Sequence, residues 1–341
     1  MRPLALLSTV AALSLALPSF AQTGPYKVLS TTKVGGEGGF DYVNADSAAR
    51  RLYVARSGPT GHIMVFDLDT LKQVGDIPSV SAHGVAVDEK SHMGFATSKP
   101  VSIFNTKTLA DVKSITTEGN PDGLHADPET GHVYILSHAT PNVTVLSGKD
   151  GSVLGTVDLG GAPEQAALDG KGHMYIDLED KGSIAVVDTK ALKLTATYDL
   201  QGKGGTCAGL ALDTRHGILF AACRTPQTMV MLDAKDGKIL DTLPIGQGTD
   251  GAVFNPKTME AFSSQGDGTL TIIKENSPTS FAVEQTLTTL PRAKTLTLDE
   301  KTGHIILITA EFAPPPPTAP GGRPARGAMI PDTFTLIVVG K

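Results

Sequence analysis

One unit recurs seven times in this chain, and that recurrence limits the folds open to it more than any other feature. Each unit has a short alternating strand-like run, an acidic or amide residue, a polar turn, and a second alternating run. The acidic or amide positions are Asp46, Asp88, Asp127, Asp169, Asp213, Asn255 and Asp299. Seven residues further on (six after Asp169) stand Tyr53, Phe95, Tyr134, Tyr175, Phe220, Phe262 and Ile306. Six of these seven are aromatic in a chain with only 11 Phe and 6 Tyr, so the position reads as a repeated packing site. Unit four shows four runs: strand A at Gln165–Leu168, B at His173–Leu178, C at Ser183–Val187 and D at Leu194–Leu200. Short Asp/Gly/Lys turns join them, the composition that hairpins use. A four-stranded antiparallel unit repeated about every 40 residues implies an all-β, seven-bladed β-propeller.

The last unit has A, B and C runs at Lys294–Leu298, His304–Ala310 and Thr333–Val339, then ends at Lys341 without a D run. Tyr26–Val34 precedes unit one and fits none of its strands. It is therefore expected to pair with the final strand and close the ring, removing an exposed sheet edge. Residues 22–341 then form one domain. Residues 1–21 are set apart: Arg2, an apolar run from Leu4 to Leu17, and Ser19-Phe20-Ala21 describe a secretory signal peptide cut after Ala21. The expected location is periplasmic or extracellular. No later segment is long and apolar enough to span a bilayer. The net charge of −6, without a basic cluster, argues against general nucleic-acid binding.

Three of the units, "RLYVA…HIMVFDLDTLKQVGDI", "HVYILS…NVTVLSGKDGSVLGTV" and "HMYIDL…SIAVVDTKALKLTATY", resemble the YVTN-type repeats of YncE-like secreted propellers. Units two and six depart most from that pattern. The resemblance implies the fold, not an activity, because such propellers serve many ends.

Strand A is innermost in a blade, so its first residues crowd the central axis. Five positions before each turn residue lie Asp41, His83, Asp122, Glu164, Ala208, Asp250 and Lys294, a predicted ring at the channel mouth. Crowded carboxylates raise one another's pKa or recruit a cation. The ring either holds water or seats a divalent cation or an amine, with Asp122, Glu164 and Asp250 as the metal-ligating carboxylates. No other cofactor is indicated. The B-to-C loops place Arg56, His138, Glu179, Arg224, Gln265 and Glu311 around the same mouth. Arg56 and Arg224 either clamp an anionic ligand or pair with the acid ring.

One such loop, Glu311–Asp332, carries seven of the 22 prolines and cannot be a strand. Polyproline geometry is expected for Pro314–Pro317. The loop is a lid, a docking arm or a stiff surface loop. His92, His132, His173, His216 and His304 fall in A-to-B turns on the opposite face, as solvated residues. His125 reads as a hydrogen-bonded interior histidine. Cys207 and Cys223 face each other across one A–B turn if Leu212 faces Ile218, which permits a disulfide; two buried thiols are the alternative.

"GQGTDG" at Gly246–Gly251 matches a dinucleotide-binding pattern but lies between strands with no helix after it. No G-x-S-x-G, C-x-x-C or H-E-x-x-H motif occurs. The first functional expectation is an exported, non-enzymatic module, most simply a monomer. It would bind a small molecule or protein through the mouth and the Pro-rich loop. A second is a metal-dependent hydrolase of the lactonase type at the axial carboxylates, by analogy with six-bladed architectures. A third is a structural envelope protein.

Overall fold

The acidic residue that marks each unit is the cap of a turn. In the computed structural model, which describes residues 24–316 and 327–341, Asp169 Oδ1 accepts hydrogen bonds from the amides of Lys171 (2.7 Å) and His173 (2.9 Å). Asp46, Asp127, Asp213, Asn255 and Asp299 likewise take up amides two or three residues ahead. A short side chain that mimics a backbone turn is what Asp and Asn supply. Each cap reverses the chain between strands A and B, so the spacing of the caps sets the spacing of the blades.

Seven four-stranded antiparallel sheets result, making a seven-bladed β-propeller. Blade 4 has strands at Pro163–Leu168, His173–Leu178, Ser183–Asp188 and Lys193–Asp199. Blades 2 and 6, whose sequences deviate most, still carry full outer strands at Asp111–Ile115 and Ser280–Thr288. Among the described residues no helix is long and apolar enough to cross a membrane.

The repeated aromatic position lies mid-way along strand B and faces the next blade. Tyr53 packs with Val85 and Phe104 of blade 2, Phe220 stacks on Phe254 of blade 6 at 5.3 Å, and Ile306 meets Val43 and Leu52 of blade 1. All seven are buried. Each such side chain contributes about 1.5–3 kcal/mol through burial, so the cohesion of the ring lies between blades as much as within them.

The ring closes as expected. Lys27–Lys33 pairs with Thr335–Gly340, from Lys27 opposite Gly340 to Lys33 opposite Thr335. Tyr26 extends this closure into blade 6: its ring meets the Phe262 edge at 5.2 Å, and its backbone exchanges two hydrogen bonds with the Gln285 side chain. On the far face Arg50 of blade 1 bonds both oxygens of Asp299 in blade 7, at 2.6 and 2.8 Å. Cys207 stands opposite Cys223 in the strand register, and the two form a disulfide.

The Pro-rich insertion starts as a two-stranded stem. Ala313 N–H donates to Ala328 O and Ile330 N–H to Glu311 O, both at 2.8 Å, around a bridge between Phe312 and Met329. The proposed signal peptide, the loop tip and part of the Pro314–Pro317 run lie outside the described residues.

Candidate functional site

The first residues of the inner strands converge on the axis, and six of the seven predicted ring positions bring ionisable side chains there. They assemble, with residues from the ends of strand B, into a nearly continuous circuit. His83 Nδ1 lies 3.3 Å from Asp41 and 3.2 Å from Asp122 Oδ1. His138 Nε2 lies 3.5 Å from Asp122 Oδ2 and 3.6 Å from Glu164. The Glu179 carboxyl neighbours Glu164, and Glu179 meets Arg224 at 2.6 Å. Arg224 and Lys294 both contact Asp250, and Lys294 returns to Asp41 at 3.4 Å. Blade 5 offers only Ala208 at the ring position, and Arg224 fills that gap.

Five carboxylates thus share the mouth with two permanent cations and two imidazoles. Burial opposes ionisation of Asp41, but the His83 hydrogen bond and the Lys294 charge outweigh it and hold this carboxyl below its usual range. The bond to Asp41 raises the His83 pKa against the effect of burial. Burial, reinforced by the Asp41 charge, pushes Asp122 up despite both histidines. Burial and the neighbouring Glu179 carboxyl push Glu164 up to about 9, so it holds a proton at neutral pH.

At the mouth, two donor sets of the described residues have their ligand atoms within 4.8 Å of one another: Asp41, His83 and Asp122; and Asp122, His138 and Glu164. Asp122 belongs to both and turns one oxygen to each histidine. Of the expected carboxylate trio of Asp122, Glu164 and Asp250, the geometry brings the first two into one donor set and leaves the third outside it. Asp250 is committed to Arg224 and Lys294, and His138 stands in its place.

The B-to-C residues divide by their position along strand B. His138, Glu179 and Arg224 each lie four residues after the buried aromatic, and all three reach the mouth. Arg56 lies three after Tyr53, an odd offset, and points to the opposite face of its sheet. There it is fully buried, its guanidinium 4.0 Å over the Phe334 ring and its N–H groups on Gly38 O and Gly39 O. Burial lowers its pKa to about 10. Arg56 is an interblade residue, not a clamp at the mouth. Glu311 turns outward to Lys33 at 2.6 Å and leaves the ring. Gln265, also at an odd offset, is buried and bonds Thr269 and Thr271 of its own blade.

Below the ring the channel contains two large side chains that polarity counting overlooked. Tyr42 lies against Gly84 and Gly123: a Cβ on Gly84 would stand 3.1 Å from Tyr42 Cβ, and one on Gly123 would stand 3.4 Å from its hydroxyl. Gln165 spans blades 4 to 6, accepting from Leu210 N–H (3.0 Å) and Ala252 N–H (2.8 Å) and donating to Ala252 O (3.0 Å). It crosses Gly209, where any Cβ would meet the Gly251 backbone at 2.7 Å. The signal for both residues was the run of glycines at the equivalent positions, which makes room for them.

His125 is interior, as expected: its Nε2 accepts from Ala166 N–H at 3.3 Å, and burial lowers its pKa to about 4. His216 departs from the solvated-turn expectation. Its Nδ1 bridges two buried carboxylates, Glu275 at 2.6 Å and Asp213 at 2.8 Å, and so ties blade 6 to blade 5.

No protein-family model matches this chain, and no curated protein is similar to it in sequence. Solved structures are similar in shape. "Crystal structure of RRP9 WD40 repeats" aligns with a TM-score of 0.73 at 12% identity, covering 93% of this chain and 99% of the other. "Structure of U3-55K" aligns with a TM-score of 0.71 at 11% identity, covering 92% and 98%. The likeness is one of fold. The chain reaches the same architecture without a single Trp, so the packing position that repeats here is the Tyr/Phe of strand B.

Proposed function

We propose that this chain is an exported, non-enzymatic binding propeller of the YVTN-repeat type, and that its mouth seats a divalent cation. The observation that carries the reading is the placement of Asp122, with one carboxylate oxygen toward His83 and the other toward His138, each imidazole backed by a further acid. Imidazole nitrogen with carboxylate oxygen suits borderline divalent ions such as zinc or manganese. A cation in the Asp122–His138–Glu164 set would take the place of the proton that Glu164 holds. Tyr42 and Gln165 beneath the ring favour a shallow binding seat over a deep reaction chamber. The mouth then presents a charged, metal-organised surface to a small ligand or a protein partner. Export rests on Arg2, the Leu4–Leu17 run and Ala21.

The test is titration of zinc and manganese into the metal-free protein, followed by calorimetry and melting temperature. Saturable binding that raises the melting temperature, and that Asp122→Ala abolishes, supports the reading. An equal shift in Asp122→Ala would place the ion elsewhere.

A further inference from the structure

Beside the mouth, on the blade 7 side, lies a recess that the charged circuit does not use. It encloses about 380 Å³ between Phe40, Phe312 and Met329, with Arg292 and Lys294 at its polar edge. The stem of the Pro-rich insertion builds one wall, because Phe312 and Met329 are its bridged pair. Phe40, which packs against Phe312 and Phe334 at 6.3 and 5.0 Å, builds the other. We propose that this recess binds a small organic monocarboxylate, its apolar body against the phenyl rings and its carboxylate on Arg292.

Arg292 is held for such a role. Its backbone adopts φ 63°, a left-handed conformation uncommon for a residue with a side chain. Its amide donates to Gly266 O at 2.9 Å. The guanidinium carbon lies over Phe312, 4.0 Å from the ring centroid. A cation–π contact does not consume the N–H groups of a guanidinium, and their planar fork is what receives a carboxylate. Among the described residues no carboxylate pairs with Arg292, and the loop tip at 317–326 contains no acid in its sequence. The other arginines of the inter-blade and mouth regions are all engaged: Arg50 by Asp69 and Asp299, Arg56 by backbone carbonyls, Arg224 by Glu179 and Asp250.

The surroundings select the class of anion. Lys294 is committed to Asp41 and Asp250, so the recognition of the anion falls to one guanidinium. A dianion such as phosphate would meet those acids with its second charge unmatched. An apolar wall rewards an organic body and gives nothing to a small inorganic ion.

The test uses the whole protein with phenylacetate as probe and phenylacetamide as its neutral analogue, by calorimetry. Phenylacetate is expected to bind saturably in the millimolar range or tighter, and the amide about tenfold more weakly. Arg292→Gln should bring phenylacetate to the level of the amide, and Arg292→Lys should fall between, with urea unfolding showing that both variants fold. Asp122→Ala should bind phenylacetate as the wild type does, which separates this site from the cation seat. Equal affinity for acid and amide, undiminished binding by Arg292→Gln, no saturable binding by the wild type, or loss of binding in Asp122→Ala would each overturn the proposal.

Discussion

Replacing Arg56 by Met removes a charge that the fold has buried completely. Its volume is nearly conserved, so the change tests electrostatics more than packing. Burial lowers the Arg56 pKa to about 10, well below the usual guanidinium range. Arg56 therefore stays a cation at neutral pH, and its desolvation alone costs about 3 kcal/mol relative to the unfolded chain. Against this stand a desolvated cation–π contact with Phe334, worth about 2 kcal/mol, and charge-assisted bonds to Gly38 O at 2.9 Å and Gly39 O at 3.3 Å. Such bonds contribute about 1.5–3 kcal/mol each, the longer one at the low end. The balance favours the wild type by about 2 kcal/mol. Arg56→Met also strands the two carbonyls, so the expected loss is about 3 kcal/mol, or roughly 4–5 °C in melting temperature for a chain of this size. Urea unfolding measures it directly. Arg56→Lys keeps the charge but not the planar stack and should lie between the two. An Arg56→Met variant as stable as the wild type would mean that the buried charge is a net burden and that the contacts counted here do not offset it.

Two further predictions concern stability. Asp177 is fully buried, neither carboxylate oxygen has a hydrogen-bond partner among the described residues, and burial raises its pKa well above 3.8 against the Arg224 charge. The folded state then keeps a proton that the unfolded chain releases, so this residue's contribution is complete at acid pH and declines as pH rises above about 4. Asp177→Asn should flatten that decline and gain at least about 1 kcal/mol near pH 8; parallel stability–pH curves for the two proteins would count against it. The Cys207–Cys223 disulfide closes a loop with a sequence separation of 16, worth about 3 kcal/mol by restriction of the unfolded chain. The double Ser variant should lose that amount in urea unfolding, reductant should bring the wild type to the same midpoint, and a loss below about 1 kcal/mol would refute the estimate.

Much of the architecture was legible because a repeat converts weak local signals into a strong periodic one. The turn-capping Asp and the Tyr/Phe of strand B recur at positions where the same physical demand recurs, a hairpin reversal and an interblade contact. The closing strand followed from counting: a blade without a D strand and a strand without a blade. The ring at the mouth was legible for the same reason, since Asp41, His83, Asp122, Glu164, Asp250 and Lys294 occupy one register. What the register could not convey is how closely the inner strands approach. Gly209 lies near enough to the Gly251 backbone to exclude a Cβ, and that proximity lets Gln165 reach blade 6. A sequence read blade by blade has no term for it.

The loop residues failed for a different reason, and a remedy exists in the sequence. Side chains on a strand alternate between its two faces, so the buried aromatic fixes which neighbour every later residue of strand B can meet. An even offset points to the next blade, as it does for His138, Glu179 and Arg224. An odd offset turns away, as it does for Arg56 under Phe334, Gln265 within blade 6 and Glu311 on Lys33. Parity is necessary and not sufficient: Lys99 also lies four residues after its aromatic, Phe95, yet its ammonium bonds Gly119 O at 2.9 Å. The mouth is therefore built by two filters acting together, the register of strand A and the parity of strand B. Both are satisfied on blades 3 and 4, whose strand B ends supply His138 and Glu179; on blade 5, where strand A offers only Ala208, strand B parity alone supplies Arg224. The inferred cation seat, with ligands from blades 1 to 4, draws on only one of these, His138. The inferred carboxylate recess lies beside the mouth where blade 7 meets blade 1, where the parity residues Gly266 and Ala310 bring no charge and, among the described residues, no carboxylate pairs with Arg292.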